Sequence, residues 1–504
     1  MFNKRNVFDL THERKLTCDM GKLIPIFCEE VVPTDQFKVK TEIVVRLAPM
    51  LAPVMHRVDV FTHFFFVPTR LLYGAYESFF SGGEQGNDNS TLPYIDAGSS
   101  GFAKGSLADY FGLPINVPNL QVLAFPFRVY AQVWNGWYRD ENLQQKVPVS
   151  TGSEAIDSIT SVSLLNRNWE KDYFTSALPW TQRGNPVQVS LGGVAPVTVS
   201  DPARNASVNF SPGMFYGTSN PADVQVGNPD ESAGNISGSV SLGSRNLSGT
   251  ADLSQATPIT INALRNAFQL QRWAEKNARA GVRYIELILS HFGIRSSDAR
   301  LQRPEFLGGG RSPVIFSEVL QTSSTDDTSP QANMAGHGFS AQVSHEFSKG
   351  FEEHGYIIGI MSIMPRTAYQ QGVSRMWNRK TRYDFYWPLF SHLGEQAVTY
   401  KEIYARGNAQ DAGIFGYQGR YDEYRRRESV VCGDFRDQLD YWHLGRKFAT
   451  PPTLSSEFIT ASPSKRIFAV TDPNVHSCWI QILNKVKAVR PMPHIAQPGL
   501  IDHE

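Results

Sequence analysis

The densest run of chemistry-bearing side chains is Tyr421-Asp422-Glu423-Tyr424-Arg425-Arg426-Arg427. Three adjacent guanidinium groups suit phosphate oxygens, and Tyr421 and Tyr424 suit stacking on unpaired bases. A second basic and aromatic group, Arg375, Trp377, Arg379, Lys380, Arg382 and Tyr383, precedes it. Arginine and aromatic residues are equally the anchors of protein–protein interfaces. Asp422, Glu423 and Glu428 also lie close enough in sequence to neutralise the arginines. A single-stranded nucleic-acid contact and a subunit contact both remain open.

Catalytic patterns are sparse. Gly308-Gly309-Gly310-Arg311-Ser312 lacks the Lys-Ser/Thr of a phosphate loop and reads as a tight turn before Pro313. His345-Glu346 begins like a zinc-protease helix, but Lys349 stands where the second His belongs, and the surrounding alternation favours a strand. His337, His345 and His354 read as separate structural residues, so no metal or cofactor is expected. Asp384 and Glu395 beside Trp377, Tyr386 and Trp387 have the content of a glycan cleft. Cleavage there would require two carboxyl groups at a defined separation, and core or interface aromatics explain the same residues.

The 504 residues carry 48 Lys+Arg and 48 Asp+Glu, a formal net charge of zero. A protein condensing nucleic acid by itself is usually basic, so such contact here must be local or shared with a basic partner. Cys18, Cys28, Cys432 and Cys478 show no C-x-x-C spacing and read as reduced thiols of a cytosolic product. The charged N-terminus has no signal-peptide core, and no apolar run is long enough to span a membrane.

Positioning these residues requires a mainly β scaffold. Phe37, Val39, Thr41, Ile43 and Val45 alternate with polar positions, and Val58, Val60, Thr62, Phe64 and Phe66 repeat the pattern. Pro49 and Pro53 break the ladder between them. Residues 127–140 read as helix, with Val129, Val133 and Trp137 four apart. A stripe through Ile261, Leu264 and Phe268 predicts another helix ending at Gly281, and Tyr284 to His291 a third. Phe339, Ala341, Val343, His345 and Phe347 predict a strand, Tyr356 to Met364 a continuously apolar one, and Cys478, Ile480 and Ile482 a last one. Strands at both ends with helices in the connections suit an antiparallel sandwich with long excursions.

Residues 184–257 differ from the rest, with no Lys, no Trp and seven charged residues. The block reads as a surface insertion between an N-terminal part, 1–183, and a C-terminal part, 258–504. Its large apolar residues, chiefly Phe210, Met214, Phe215 and Tyr216, would support a small subdomain or a trimer contact.

Several long strings together resemble one family: RVYAQVWNGWYRDENL from Arg128, KDYFTSALPWTQRG from Lys171, HFGIRSSDARLQRPEFLGGGRSPVIFSE within Gly281 to Glu318, GYIIGIMSIMPRTAYQ from Gly355 and DFYWPLFSHLGEQ from Asp384. The chain resembles the major capsid proteins of gokushovirus-type microviruses, small icosahedral bacteriophages with single-stranded DNA genomes. The resemblance runs along the chain except for 184–257. It implies an eight-stranded antiparallel viral jelly roll with long loop insertions. It further implies a homo-oligomeric T=1 shell, a virion assembled in the bacterial cytoplasm, and an insertion projecting at threefold axes that is available to a host receptor. A small basic internal DNA-binding protein in such phages would reconcile a neutral chain with a packaged genome. Two other classes stay open from the residues alone: a phage surface glycan-binding or glycan-cleaving protein, and a stand-alone single-stranded nucleic-acid-binding protein.

Overall fold

The computed structural model describes residues 5–81, 83–84, 90–182, 261–281, 283–298, 301–320 and 334–495, with the backbone of short strands between 197 and 251. The chain divides into two compact units, Gln182–Asn277 and the remainder.

The larger unit is built on two antiparallel sheets. Strands β1 (Asn6–Asp9), β2 (His12–Cys18), β3 (Ile24–Val31), β4 (Gln36–Leu47) and β5 (Val58–Pro68) come from the N-terminal part. The C-terminal part supplies β6 (Glu305–Pro313), β7 (Ile315–Leu320), β8 (Met334–Gly350), β9 (Gly355–Pro365), β10 (Glu395–Thr399), β11 (Ile414–Gly419) and β12 (Cys478–Arg490). One sheet runs β1-β12-β4-β8-β7, with β2 also on β12, and the other runs β6-β5-β9-β3. The last strand thus pairs with the first two, so both ends of the chain close one sheet.

Alternation explains the packing. In β4, Phe37, Val39, Thr41, Ile43, Val45 and Leu47 all point inward. They share one core with Val60, Phe64 and Phe66 of β5 and Ile357, Met361 and Ile363 of β9, so the two sheets form a sandwich. Burying each such side chain contributes about 1.5–3 kcal/mol. A polar link crosses this core: Thr41 Oγ1 donates to Asn484 Oδ1 at 2.9 Å, and Asn484 Nδ2 donates to the Ile26 carbonyl at 3.1 Å.

Strands β5 and β9 are apolar on both faces because a second core lies behind them. Phe65, Val67, Tyr356, Ile358 and Ile360 meet α1 (Phe125–Val133) through Phe125, Phe127, Val129, Tyr130 and Val133. The Tyr130 hydroxyl donates to the Leu23 carbonyl at 2.9 Å, tying the helix to the sheet. The expected helix of 127–140 therefore starts at Phe125 and passes into a π-turn over Trp134–Tyr138.

One expectation is corrected. Gly308 to Gly310 form no turn but the middle of β6. A Cβ on Gly309 would stand 2.5 Å from the Thr62 carbonyl oxygen, so glycine here serves close approach to β5. In β8 the inward residues at first are Gly336, Gly338 and Ser340, while Phe339 and Ala341 face out. A Cβ on Gly338 would stand 2.7 Å from Leu47 Cδ1, so the inner face there admits only small residues. A bulge between Val343 and Glu346 then switches faces, and Phe347 is buried.

Within the smaller unit, Val197–Asp201 pairs with Ala206–Phe210 and Ser248–Ala251. Tyr216–Gly217 pairs with Asp223–Gln225, which pairs with Val240–Ser241. Phe210 and Tyr216 thus lie in strands, while Met214 and Phe215 lie outside the described residues. Helix α2 (Ile261–Ala280) leaves Ile261, Leu264 and Phe268 exposed, so its apolar stripe is not a core face. Gly281, at φ +106°, ends α2, and α3 (Tyr284–Phe292) follows.

Candidate nucleic-acid and subunit interface

Strands β10 and β11 form a separate antiparallel pair. Immediately after β11 the backbone turns through Tyr421 in the left-handed region, at φ 65°, into a single turn over Asp422–Tyr424. That turn sets the direction of every residue in the basic run.

Tyr421 is 2% exposed. Its hydroxyl donates to the Phe385 carbonyl at 3.1 Å and accepts the Trp387 N–H at 3.3 Å. This corrects its expected stacking role: the ring supports the 385–387 segment and has no free face. Tyr424 is half-exposed, but Arg379 lies over its ring at 4.7 Å and Tyr386 meets it edge-on at 6.1 Å.

The three arginines are not equivalent. Arg425 and Arg426 both approach Asp422, at 3.7 and 3.2 Å. Arg426 also donates to Ser176 Oγ and to the Asp172 carbonyl, so it staples two loops. Arg427 donates weakly to Met376 Sδ at 3.7 Å, and no carboxylate among the described residues pairs with it. The other two acids are engaged elsewhere. Glu423 lies 3.8 Å from Arg375 and 3.9 Å from Arg379. Glu428 accepts the Tyr173 backbone N–H at 3.0 Å, and burial followed by repulsion from Asp172 pushes its carboxyl up to about 7.

Arg426, Arg427 and Glu428 line a cavity of about 600 Å³ with His56, Arg57 and Arg366. The last two come from distant parts of the chain. Arg57 precedes β5 and Arg366 follows β9, and pairing of those strands places the Arg366 N–H on the Arg57 carbonyl at 2.9 Å. Both guanidiniums then flank buried Asp59, at 3.2 and 3.7 Å. Burial pushes His56 down to about 4, so it adds no positive charge at neutral pH. Nothing in local spacing marks Arg57 or Arg366 as companions of the triplet; the only cue was that each adjoins a strand end.

The second basic group is packed against aromatics. Arg375 bonds Glu402 at 3.1 Å, Arg379 lies 5.1 Å from the Phe385 ring centre, and Arg382 lies 5.0 Å from that of Tyr383. Around them Trp377, Leu389 and Leu393 are 73%, 79% and 62% exposed. The two acids of the alternative glycan-cleft reading have structural work. Asp384 accepts the backbone N–H groups of Lys380 and Thr381, which hold it below the usual carboxylate range. Glu395 is buried and paired with Arg279. His354 bonds the Tyr76 hydroxyl at 2.7 Å, a structural contact beside the sheet.

Known proteins share this chain's pattern over nearly all its length. A family model described as capsid protein (F protein) matches residues 2–500. Capsid protein VP1 of Bdellovibrio phage phiMH2K is 41% identical, over 98% of this chain and 95% of that protein. Capsid protein VP1 of Chlamydia phage 1 is 37% identical, over 99% and 96%, and that of Spiroplasma virus 4 is 33% identical, over 98% and 95%. The resemblance to gokushovirus-type microvirus capsid proteins therefore holds along the whole sequence, and the chain belongs to the capsid protein (F protein) family.

Proposed function

We propose that this chain is the structural subunit of a T=1 icosahedral shell enclosing a single-stranded DNA genome, with the two-sheet body serving as a viral jelly roll. The observation that carries the reading, beside family membership, is the apolar surface left bare on a well-packed body. Trp377, Leu389, Leu393 and Val430 are each more than 60% exposed. Surfaces of that kind commonly mark protein contacts, and a closed shell requires each subunit to bury several unlike patches. Asp384 and Glu395 are each held in structural contacts, and no cluster of His, Cys, Asp and Glu that could hold a metal ion occurs among the described residues. No described helix is long and apolar enough to cross a membrane.

Residues 184–257 are the outward projection in this reading, clustering at threefold axes and available to a host receptor. Arg425 and Arg427, with Arg57 and Arg366 nearby, face the genome or a small basic internal protein. The support for this is that Arg427 has no carboxylate partner among the described residues and that it borders one cavity with Arg57, Arg366 and Arg426.

Electron microscopy of the purified full-length chain tests the proposal. Uniform closed particles or capsomers are expected, and a monomer that binds DNA tightly or cleaves glycans would overturn it.

A further inference from the structure

Two of the four cysteines meet. Cys18 ends β2, Cys478 begins β12, and the antiparallel register places them directly opposite each other. Side chains of opposed residues emerge on the same face of a sheet. Both point into the main core, 1% and 0% exposed. They are free thiols in the folded chain. The other two are elsewhere: Cys28 lies within β3, and Cys432 is exposed in a loop.

Opposed residues in antiparallel strands have Cα atoms roughly 4.5–5.5 Å apart. A disulfide accommodates about 4.4–6.8 Å. The spacing set by the register thus falls within the range a disulfide spans, so the bond can close by rotation of the two side chains.

We propose that Cys18 and Cys478 form an oxidation site, closing into a cross-strand disulfide when the folded chain meets a small-molecule disulfide. One cysteine loses its proton, and its thiolate attacks a sulfur of the reagent. The reagent's S–S bond breaks and one small thiol leaves. The second cysteine then attacks the mixed disulfide, forming the Sγ–Sγ bond and expelling the second small thiol. The two cysteines lose two electrons and two protons, and one small disulfide becomes two thiols.

Burial makes the reaction slow from the closed state. Strand β2 pairs only with β12 among the described strands, so it is an edge that lifts more readily than the centre of a sheet. Once formed, the bond prevents that lifting and ties the N-terminal strand to the C-terminal one. The lock would be absent in a reducing cytosol and set after exit from it.

The test uses the full natural chain, purified under reductant, desalted and incubated with oxidised glutathione. Thiols titrated in denaturant should fall from three to one in a Cys432-protected sample. The decisive product is a disulfide joining tryptic peptide Leu16–Lys22 to Ile467–Lys485, with a faster-migrating monomer on a non-reducing gel. A Cys432→Ser variant should give the same linked pair, since its exposed thiol is not part of the bond. Persistence of both thiols, stable glutathione adducts on either cysteine, or a bond to Cys28 would overturn the proposal.

Discussion

Arg128 and Asp157 form an ion pair at 2.8 Å in which both side chains are wholly buried. Arg128 also donates to the carbonyls of Leu72 and Gly152, at 2.8 and 3.1 Å, while Asp157 accepts from Thr160. Helix α1 thereby anchors the loop around 150–160. Burial opposes the charge on Asp157, but Thr160 and Arg128 outweigh it and hold the carboxyl below its ordinary value. Removing one partner leaves the other charged and uncompensated. Arg128→Ala should cost about 3–5 kcal/mol, measured by denaturant unfolding of the unassembled chain. A loss under about 1 kcal/mol would mean water replaces the guanidinium.

Alternation made β4 readable, because one of its faces meets the core and the other does not. The same pattern marked only half of β5: it ran through Phe64 and Phe66, while Phe65 and Val67 serve a second core that no period within the strand announces. It marked β8 as a strand without showing that Gly336 and Gly338 fill the inner positions at its start. The basic triplet was visible as a run of like residues. Its division could not be read, since that depends on a left-handed Tyr421 and on Ser176, Asp172 and Met376 arriving from elsewhere. The cavity joining Arg57 to Arg366 is a product of strand pairing alone.

Glu428 supplies a pH test. Its carboxyl is raised to about 7 in the fold, by burial first and then by Asp172, with Asp422 adding and the Tyr173 N–H and Arg426 opposing. A raised acid favours its protonated form, so its stability contribution is intact below the ordinary glutamate value near 4.5 and is lost as pH rises through 7. Glu428→Gln should therefore stabilise the unassembled chain at pH 8 by about 1–2 kcal/mol, allowing for solvent screening at this half-buried site. At pH 4 it should change little. Equal effects at both pH values would remove titration as the cause.

Replacing residues 184–257 with a short Gly/Ser linker should leave the two-sheet body folded, since the described residues of both its cores lie outside that block and the block falls in the other compact unit. Circular dichroism should retain the sheet signal and a cooperative melt. Its disappearance would show that the block is needed for folding.

The arginines can be separated by what each already holds. Arg426 bonds Ser176 and Asp172, so its loss would disturb the fold, whereas Arg425 and Arg427 are exposed at the ends of the run. The double variant Arg425→Gln, Arg427→Gln should give particles of normal shape with less DNA, read from the ratio of absorbance at 260 and 280 nm. If both contact phosphates, the log–log salt slope of single-stranded DNA binding should fall by about 1.4. Unchanged packaging and slope would place these side chains away from the genome.

Leu389 and Leu393 distinguish a subunit contact from a base-stacking surface. Unpaired bases stack on flat rings, for which Trp377 and Trp387 would be enough. Branched aliphatic side chains 79% and 62% exposed contribute chiefly when covered by other apolar protein groups. Their exposure also means that the isolated subunit gains little from them. Leu389→Asp with Leu393→Asp should therefore leave unfolding of the free chain within about 0.5 kcal/mol of the natural value. The same change places two charges where a partner must exclude water, and sedimentation should show subunits in place of particles. If assembly survives and only DNA binding is lost, this face belongs to the nucleic acid.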